Sequence, residues 1–251
     1  APHLFDEMWQ ENGHIRPEYQ AFYTWLKSIP AADYQLARDQ ADALFRRFGI
    51  TFAVYGDEAG KERLIPFDLI PRILSQGTWQ QLSAGITQRV KALHAFLWDI
   101  YHERHILRDG LLPKDKILGH AAYRPEMCGI DVPNGVYAHI AGIDLIRNND
   151  GEFYVLDDNL RTPSGVSYRL ENRKMMMRLF PHLFNSQAIA PVEQYPNLLL
   201  QTLREASFKQ EGNSSIAVLT PGHHNSAYFE HAFLAQQMGV ELVEGVDLFV
   251  K

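Results

Sequence analysis

The run IDLIRNNDGEFYVLDDN, residues 143–159, places two carboxylates and an amide where strands can bring them together. Asp150-Gly151 between alternating apolar stretches is a strong hairpin signal. With those two residues as the loop, Asp144 lies directly opposite Asp157 and Gly142 opposite Asn159. Opposed residues share a face, with Cβ atoms roughly 4.5–5.5 Å apart. A four-residue loop, 148–151, keeps that face, whereas a three-residue loop swaps it. Two like charges held opposite each other repel, and a divalent cation between them removes the cost. Carboxylates and an amide oxygen are hard donors, suited to Mg²⁺ or Mn²⁺ rather than zinc. Asp144, Asp157 and Asn159 are therefore the candidate metal ligands. Gly142 is expected to leave room for a ligand, and Asp158 points to the other face. Asp and Asn are also common where strands end, so a turn into Pro163 is the plain alternative for Asp157, Asp158 and Asn159.

Arg161 falls on the ligand face if the strand runs that far, and a guanidinium beside a metal is suited to a phosphate. The following stretch RTPSGVSY, 161–168, puts Ser164, Gly165 and Ser167 before a helix, where backbone N–H groups and hydroxyls suit a phosphate or carboxylate. Helix capping by a serine is the alternative. A second junction, Thr220 to Ser226, leads from a strand into a helix, the place where open α/β sheets bind ligands. Asn225 and Ser226 are its candidates, and His223 and His224 read as solvated loop residues. Histidines 94, 102, 105 and 120 show no paired metal spacing.

The elements that must hold these residues follow from periodicity. Residues 17–48 give two helices separated by Pro30, with Gly49 at a C-cap. Thr51–Tyr55 and Leu64–Leu69 read as strands around a turn-rich 56–60. A long helix spans about 78–104, with Leu82, Ile86, Val90, Leu93, Phe96 and Leu97 as its apolar stripe. Strands fit 136–147 and 152–160, and a helix fits 167–184, its Met175, Met176 and Met177 reading as core filling. A further helix fits 196–206. Residues 215–220, 226–238 and 240–243 then form a strand–helix–strand unit of the parallel kind, with Gly239 as cap. A parallel sheet needs more strands to be covered on both faces, so the expectation is either a longer protein beyond Lys251 or strands supplied from elsewhere. The expected division is 1–210 and 211–251.

With 251 residues, 46% of them hydrophobic and 22% charged, the chain can bury one large core or two smaller ones, and wholesale disorder is excluded. The net charge of −6 with scattered Lys and Arg argues against nucleic acid as a partner. No run of about 18 apolar residues argues for a membrane span. The single cysteine, Cys128, can form no internal disulfide, which fits a reducing compartment. A cytoplasmic protein is expected; the oligomeric state stays open.

These features together support a family. The hairpin with VLDDNLRTPSGVSYRLENR (155–173) and LTPGHHNSAYFEHAFLAQQMGVELVEG (219–245) resembles the circularly permuted ATP-grasp proteins related to glutathionylspermidine synthase. VYGDEAGKERLIPFDLIPRI (54–73), DEMW (6–9) and RPEYQAFYTWL (16–26) extend the resemblance over most of the chain. It implies an α+β to α/β fold: an ATP-grasp-like lobe with an antiparallel sheet and helices, then the start of a Rossmann-like parallel αβ domain. It implies ATP and Mg²⁺ as cofactors, and a carboxylate–amine ligase acting through an acyl phosphate on small-molecule or peptide substrates. In that family the metals are held by an Asp on one strand and a Glu-x-Asn pattern on another. Here those places fall to Asp144, Asp157 and Asn159, with Arg161 stabilising the transferred phosphoryl group. The family pattern usually has Glu where this chain has Asp157, one methylene shorter. The lobe that clasps adenine and supplies a phosphate-binding lysine comes last in the permuted order, so this chain alone is expected to be inactive.

Overall fold

A computed structural model describes residues 5–47, 49, 51–53, 62–64, 67–161, 163–207 and 215–249. In chain order the helices and strands are α1 (Gln20–Ser28), α2 (Ala31–Arg47), β1 (Thr51–Ala53), β2 (Glu62–Leu64), α3 (Gln76–Tyr101), α4 (His105–Arg108), α5 (Lys114–Leu118), β3 (Gly142–Arg147), β4 (Phe153–Asn159), α6 (Val166–Leu179), α7 (Pro181–Asn185), α8 (Tyr195–Glu205), β5 (Ala217–Leu219), α9 (Tyr228–Met238) and β6 (Glu241–Val243). Each described sheet has two strands: β1–β2 and β3–β4 antiparallel, β5–β6 parallel.

The chain packs as two compact units. One comprises residues 1–5 and 74–163, the other 6–73 and 164–251. The division expected at residue 210 is not where packing divides the chain, because α8 packs with α9 in the second unit.

In the first unit, α3 starts at Ser75, whose side chain accepts from the Thr78 N–H. Its expected stripe is the sheltered face: Leu82, Ile86, Val90, Leu93, Phe96 and Leu97 are half-buried, and Ile100 is buried. Arg89 and His94 lie on that same face. The helix gives way to α4 through Arg104, in the left-handed region at φ 57°. Asp99 caps α4, accepting from His105 N–H at 2.9 Å and Ile106 N–H at 3.0 Å. Burial pushes the Asp99 carboxyl up, but these two N–H donors and the His105 imidazole outweigh it and hold it below the usual carboxylate range.

In the second unit, α1, α2 and α6 enclose a core of Tyr19, Phe22, Ala41, Phe45, Met175, Met176 and Phe180. Met175 and Met176 are buried there, whereas Met177 is 42% exposed, so the methionine run fills the core with two of its three members. Pro30 separates α1 from α2 as expected. The helix expected over 167–184 is broken at Phe180 (φ −131°, ψ 57°), because Pro181 has no N–H and disfavours helical geometry in the residue before it. The second strand expected at Leu64–Leu69 lies instead at Glu62–Leu64, paired with Thr51–Ala53. The turn at 56–60 lies outside the described residues.

The last elements form the strand–helix–strand unit read from the sequence. β5 and β6 pair in parallel, Ala217 with Glu241 through Leu219 with Val243, and α9 packs against both. Gly239 ends α9 in the left-handed region at φ 68°.

Candidate functional site

The β3–β4 hairpin carries the three candidate ligands, by a route the sequence did not show. Asn148 N–H donates to the Glu152 carbonyl and Gly151 N–H to the Asn148 carbonyl, both at 2.9 Å. The loop is therefore the three residues 149–151, with Gly151 at φ 83°. Such a loop was expected to put Asp144 and Asp157 on opposite faces. Next to the turn the pairs are indeed Arg147 with Phe153 and Leu145 with Val155, but a bulge between Asp144 and Leu145 restores the other register. One extra residue on β4, Leu156, is accommodated, and Asp144 lies opposite Asp157 and Gly142 opposite Asn159. Tyr154 to Asp157 are all exposed, the loss of alternation a bulge brings, while Ile143 to Arg147 still alternate.

Asp144 and Asp157 are exposed and Asn159 half-buried. Asn159 Nδ2 donates to Asp144 Oδ2 at 3.3 Å, and Asp157 Oδ1 accepts the Asp158 N–H at 2.8 Å. Two opposed carboxylates with an amide beside them fit Mg²⁺, which is commonly held by one or two carboxylates and completes its shell with water and phosphate oxygens. Among the described residues no group of three or more His, Cys, Asp or Glu side chains could hold a metal, so a closed protein cage of the zinc kind is not formed here.

Asp158, facing the opposite way from Asp157, meets Arg89 of α3. Nε reaches Oδ1 at 2.7 Å and Nη2 reaches Oδ2 at 2.5 Å. This bidentate pair holds the Asp158 carboxyl below the usual range. Arg89 was not singled out from the sequence. Its signal was its place on the apolar stripe of α3, between Ile86 and Leu93.

Two sequence expectations about this face are corrected. The space above Gly142 is filled, since a Cβ there would stand 2.7 Å from Pro163 Cβ. The glycine admits the proline rather than a ligand. β4 ends at Asn159, so the alternation that placed Arg161 with the ligands does not reach it; Arg161 is exposed in a bend.

The start of α6 differs more. The anion on its amides is the protein's own. Glu230 of α9 is buried, and its carboxylate accepts from Gly165 N–H at 2.7 and 2.9 Å and from Ser167 N–H at 3.2 Å. Gly165, at φ 104°, adopts a backbone that a side chain would strain. Ser167 is fully buried, and its hydroxyl has no hydrogen-bond partner among the described residues. The Gly165 and Ser167 N–H groups, read from the sequence as phosphate or substrate donors, are taken by Glu230 and join α6 to α9, while Ser164 is exposed. The sequence signal for Glu230 was an acid inside an otherwise apolar helix stripe.

At the second junction α9 begins at Tyr228. Asn225 Oδ1 accepts the Ala227 N–H at 2.9 Å, closing a local turn, and Ser226 is half-buried. Thr220, 1% exposed, shares a 2.9 Å hydrogen bond with His231 Nδ1. His223 and His224 are exposed, their rings 3.9 Å apart. Two further histidines serve locally: His94 Nδ1 accepts the Tyr137 N–H, and His102 stacks on Trp98. No helix among the described residues is long and apolar enough to cross a membrane.

An acidic hairpin leading into a glycine-started helix, followed by a parallel strand–helix–strand unit, is the arrangement seen here, and comparison gives it a family. The chain belongs to the circularly permuted ATP-grasp family, whose model, described as a circularly permuted ATPgrasp, matches residues 71–251. It is 48% identical over 250 residues to an uncharacterized protein of Mycobacterium tuberculosis, covering 98% of this chain and 44% of that one. It is 44% identical over 247 residues to an uncharacterized protein of Synechocystis, covering 98% and 51%. A Frankia casuarinae protein with the provisional name glutamate–cysteine ligase 2-2 is 38% identical over 252 residues, covering 99% of this chain and 29% of that one. The chain thus spans less than half the length of its mycobacterial relatives.

Proposed function

We propose that this chain is the metal- and substrate-binding half of an ATP-dependent carboxylate–amine ligase. The observation that carries the reading is the opposition of Asp144 and Asp157, with Asn159 within hydrogen-bond distance of Asp144, on a hairpin of this family. Asp144, Asp157 and Asn159 would hold Mg²⁺, with Mn²⁺ an alternative. When bound, the metal neutralises charge on the phosphoryl group passed from ATP to a carboxylate. Arg161, exposed just beyond β4, is free to swing onto that phosphoryl group. Asn225 and Ser226 stand at the loop after a parallel strand, where substrate binding is common in open α/β sheets. The substrates are a small-molecule or peptide carboxylate and an amine. The provisional name of the Frankia relative gives glutamate and cysteine, which are of that class. The glutathionylspermidine synthase resemblance points the same way, and the β5–α9–β6 unit is read as part of a Rossmann-like domain. A reducing, cytoplasmic setting agrees with the single cysteine.

The test is ADP release by a full-length protein carrying this chain. Release that requires both a carboxylate and an amine, and is abolished by Asp144→Ala, supports the ligase. Phosphorylation of a hydroxyl substrate without amide formation sinks it. A second reading, a module that keeps the fold to bind a peptide without turnover, is favoured by Asp157, which is shorter than the usual Glu and spends Oδ1 on the Asp158 N–H. Peptide binding with no ADP release under any substrate pair would select it.

A further inference from the structure

Arg89 is not a candidate ligand and bears the wrong charge to attract a cation. Its guanidinium nevertheless grips Asp158, the residue between the two ligands of β4, through both carboxylate oxygens at 2.7 and 2.5 Å. A bidentate arginine–carboxylate pair fixes direction as well as distance. Asp158 faces away from the cation face, so fastening it to α3 fixes the backbone from which Asp157 and Asn159 project the other way. The hairpin needs such a fastening. A two-stranded sheet alone is marginal, the bulge at Leu156 interrupts the ladder just before the ligands, and pairing ends at Asn159. α3, 26 residues long, is the rigid partner available.

We propose that Arg89 is a positioning residue for the metal site, orienting the Asp157–Asn159 segment through its bidentate pair with Asp158. The inference rests on the reading of Asp144, Asp157 and Asn159 as metal ligands. Coulomb attraction and positioning predict opposite signs for its removal. Taking away a positive charge near the site would by itself tighten cation binding, whereas loss of orientation weakens it.

The experiment is titration of this chain with Mn²⁺ alone, following the free ion by electron paramagnetic resonance, with circular dichroism to confirm folding at the assay temperature. Wild type is expected to bind and Asp144→Ala to lose binding. Arg89→Gln is expected to weaken binding about tenfold, the lower end for groups that orient metal ligands. Arg89→Lys, which keeps the charge but not the fork, should fall between. Should Arg89→Gln not fold, Asp158→Asn breaks the same pair and is judged against the same tenfold loss. Arg89→Gln binding as well as wild type or better, while Asp144→Ala loses binding, overturns the positioning role and leaves the metal site standing. Unchanged binding in Asp144→Ala overturns the metal site, and this proposal with it.

Discussion

Replacing Glu230 tests a buried electrostatic contact in the second unit. Its carboxylate, 5% exposed, takes the N–H groups of Gly165 and Ser167 at the start of α6. In Glu230→Ala the Ser167 amide, on a fully buried residue, loses its acceptor, at a cost of about 1–3 kcal/mol. Gly165 is half-buried and can turn to water, so its loss is nearer the net value of a hydrogen bond, about 1 kcal/mol. Loss of an anion at the helix N-terminus adds about 0.5 kcal/mol. The expected total is about 2.5–4.5 kcal/mol. Glu230→Gln keeps one acceptor oxygen and should cost about 1–2 kcal/mol. Urea unfolding at neutral pH, with unchanged slope, measures both. Phosphate at tens of millimolar should recover part of the stability of Glu230→Ala and leave wild type unmoved, since only the variant leaves the Gly165 and Ser167 donors vacant. A Glu230→Ala protein within 0.5 kcal/mol of wild type, or one more stable than Glu230→Gln, would refute the argument.

Gly142→Ala should cost about 1–3 kcal/mol in urea unfolding, because the added Cβ meets Pro163 Cβ at 2.7 Å in a packed contact. Met175→Ala should cost about 2–5 kcal/mol and Met177→Ala less than about 0.5 kcal/mol, since the first is 3% exposed and the second 42%. The Asp99 carboxyl is held below its unfolded value, so its contribution is complete above about pH 4 and is lost as pH falls through the lowered folded value. Melting temperatures from pH 6 to 2.5 should therefore fall less steeply at the acid end in Asp99→Asn than in wild type, from a lower neutral-pH starting point.

Much of the fold was legible because periodicity and breakers carried it. The stripe of α3, the Pro30 break and the 217–243 strand–helix–strand unit follow from spacing alone. Pro181 was equally visible, and α6 ends at Leu179, two residues before it, for the reason proline ends any helix. The candidate ligands were legible as residues but not as a geometry. The loop has an odd length, and the face they share depends on the bulge at Leu156, a backbone adjustment that no residue type announces. Glycines misled for a related reason. Gly142 and Gly165 both marked close approach or unusual φ, but what approaches is Pro163 in one case and Glu230 of a distant helix serves the other. Arg89 and Glu230 had a common signature, a charge within an apolar helical stripe. Its meaning depends on the partner, 69 residues away for Arg89 and 65 for Glu230, so helix periodicity could not supply it.

The central claim is that a cation binds at the shared face of β3 and β4, and paramagnetic broadening locates a cation directly. In amide-resolved spectra of the chain, substoichiometric Mn²⁺ should first broaden the resonances of residues 142–144 and 157–159, and Asp144→Ala should abolish the effect. Broadening centred on His223 and His224, or none in this hairpin, would contradict the account.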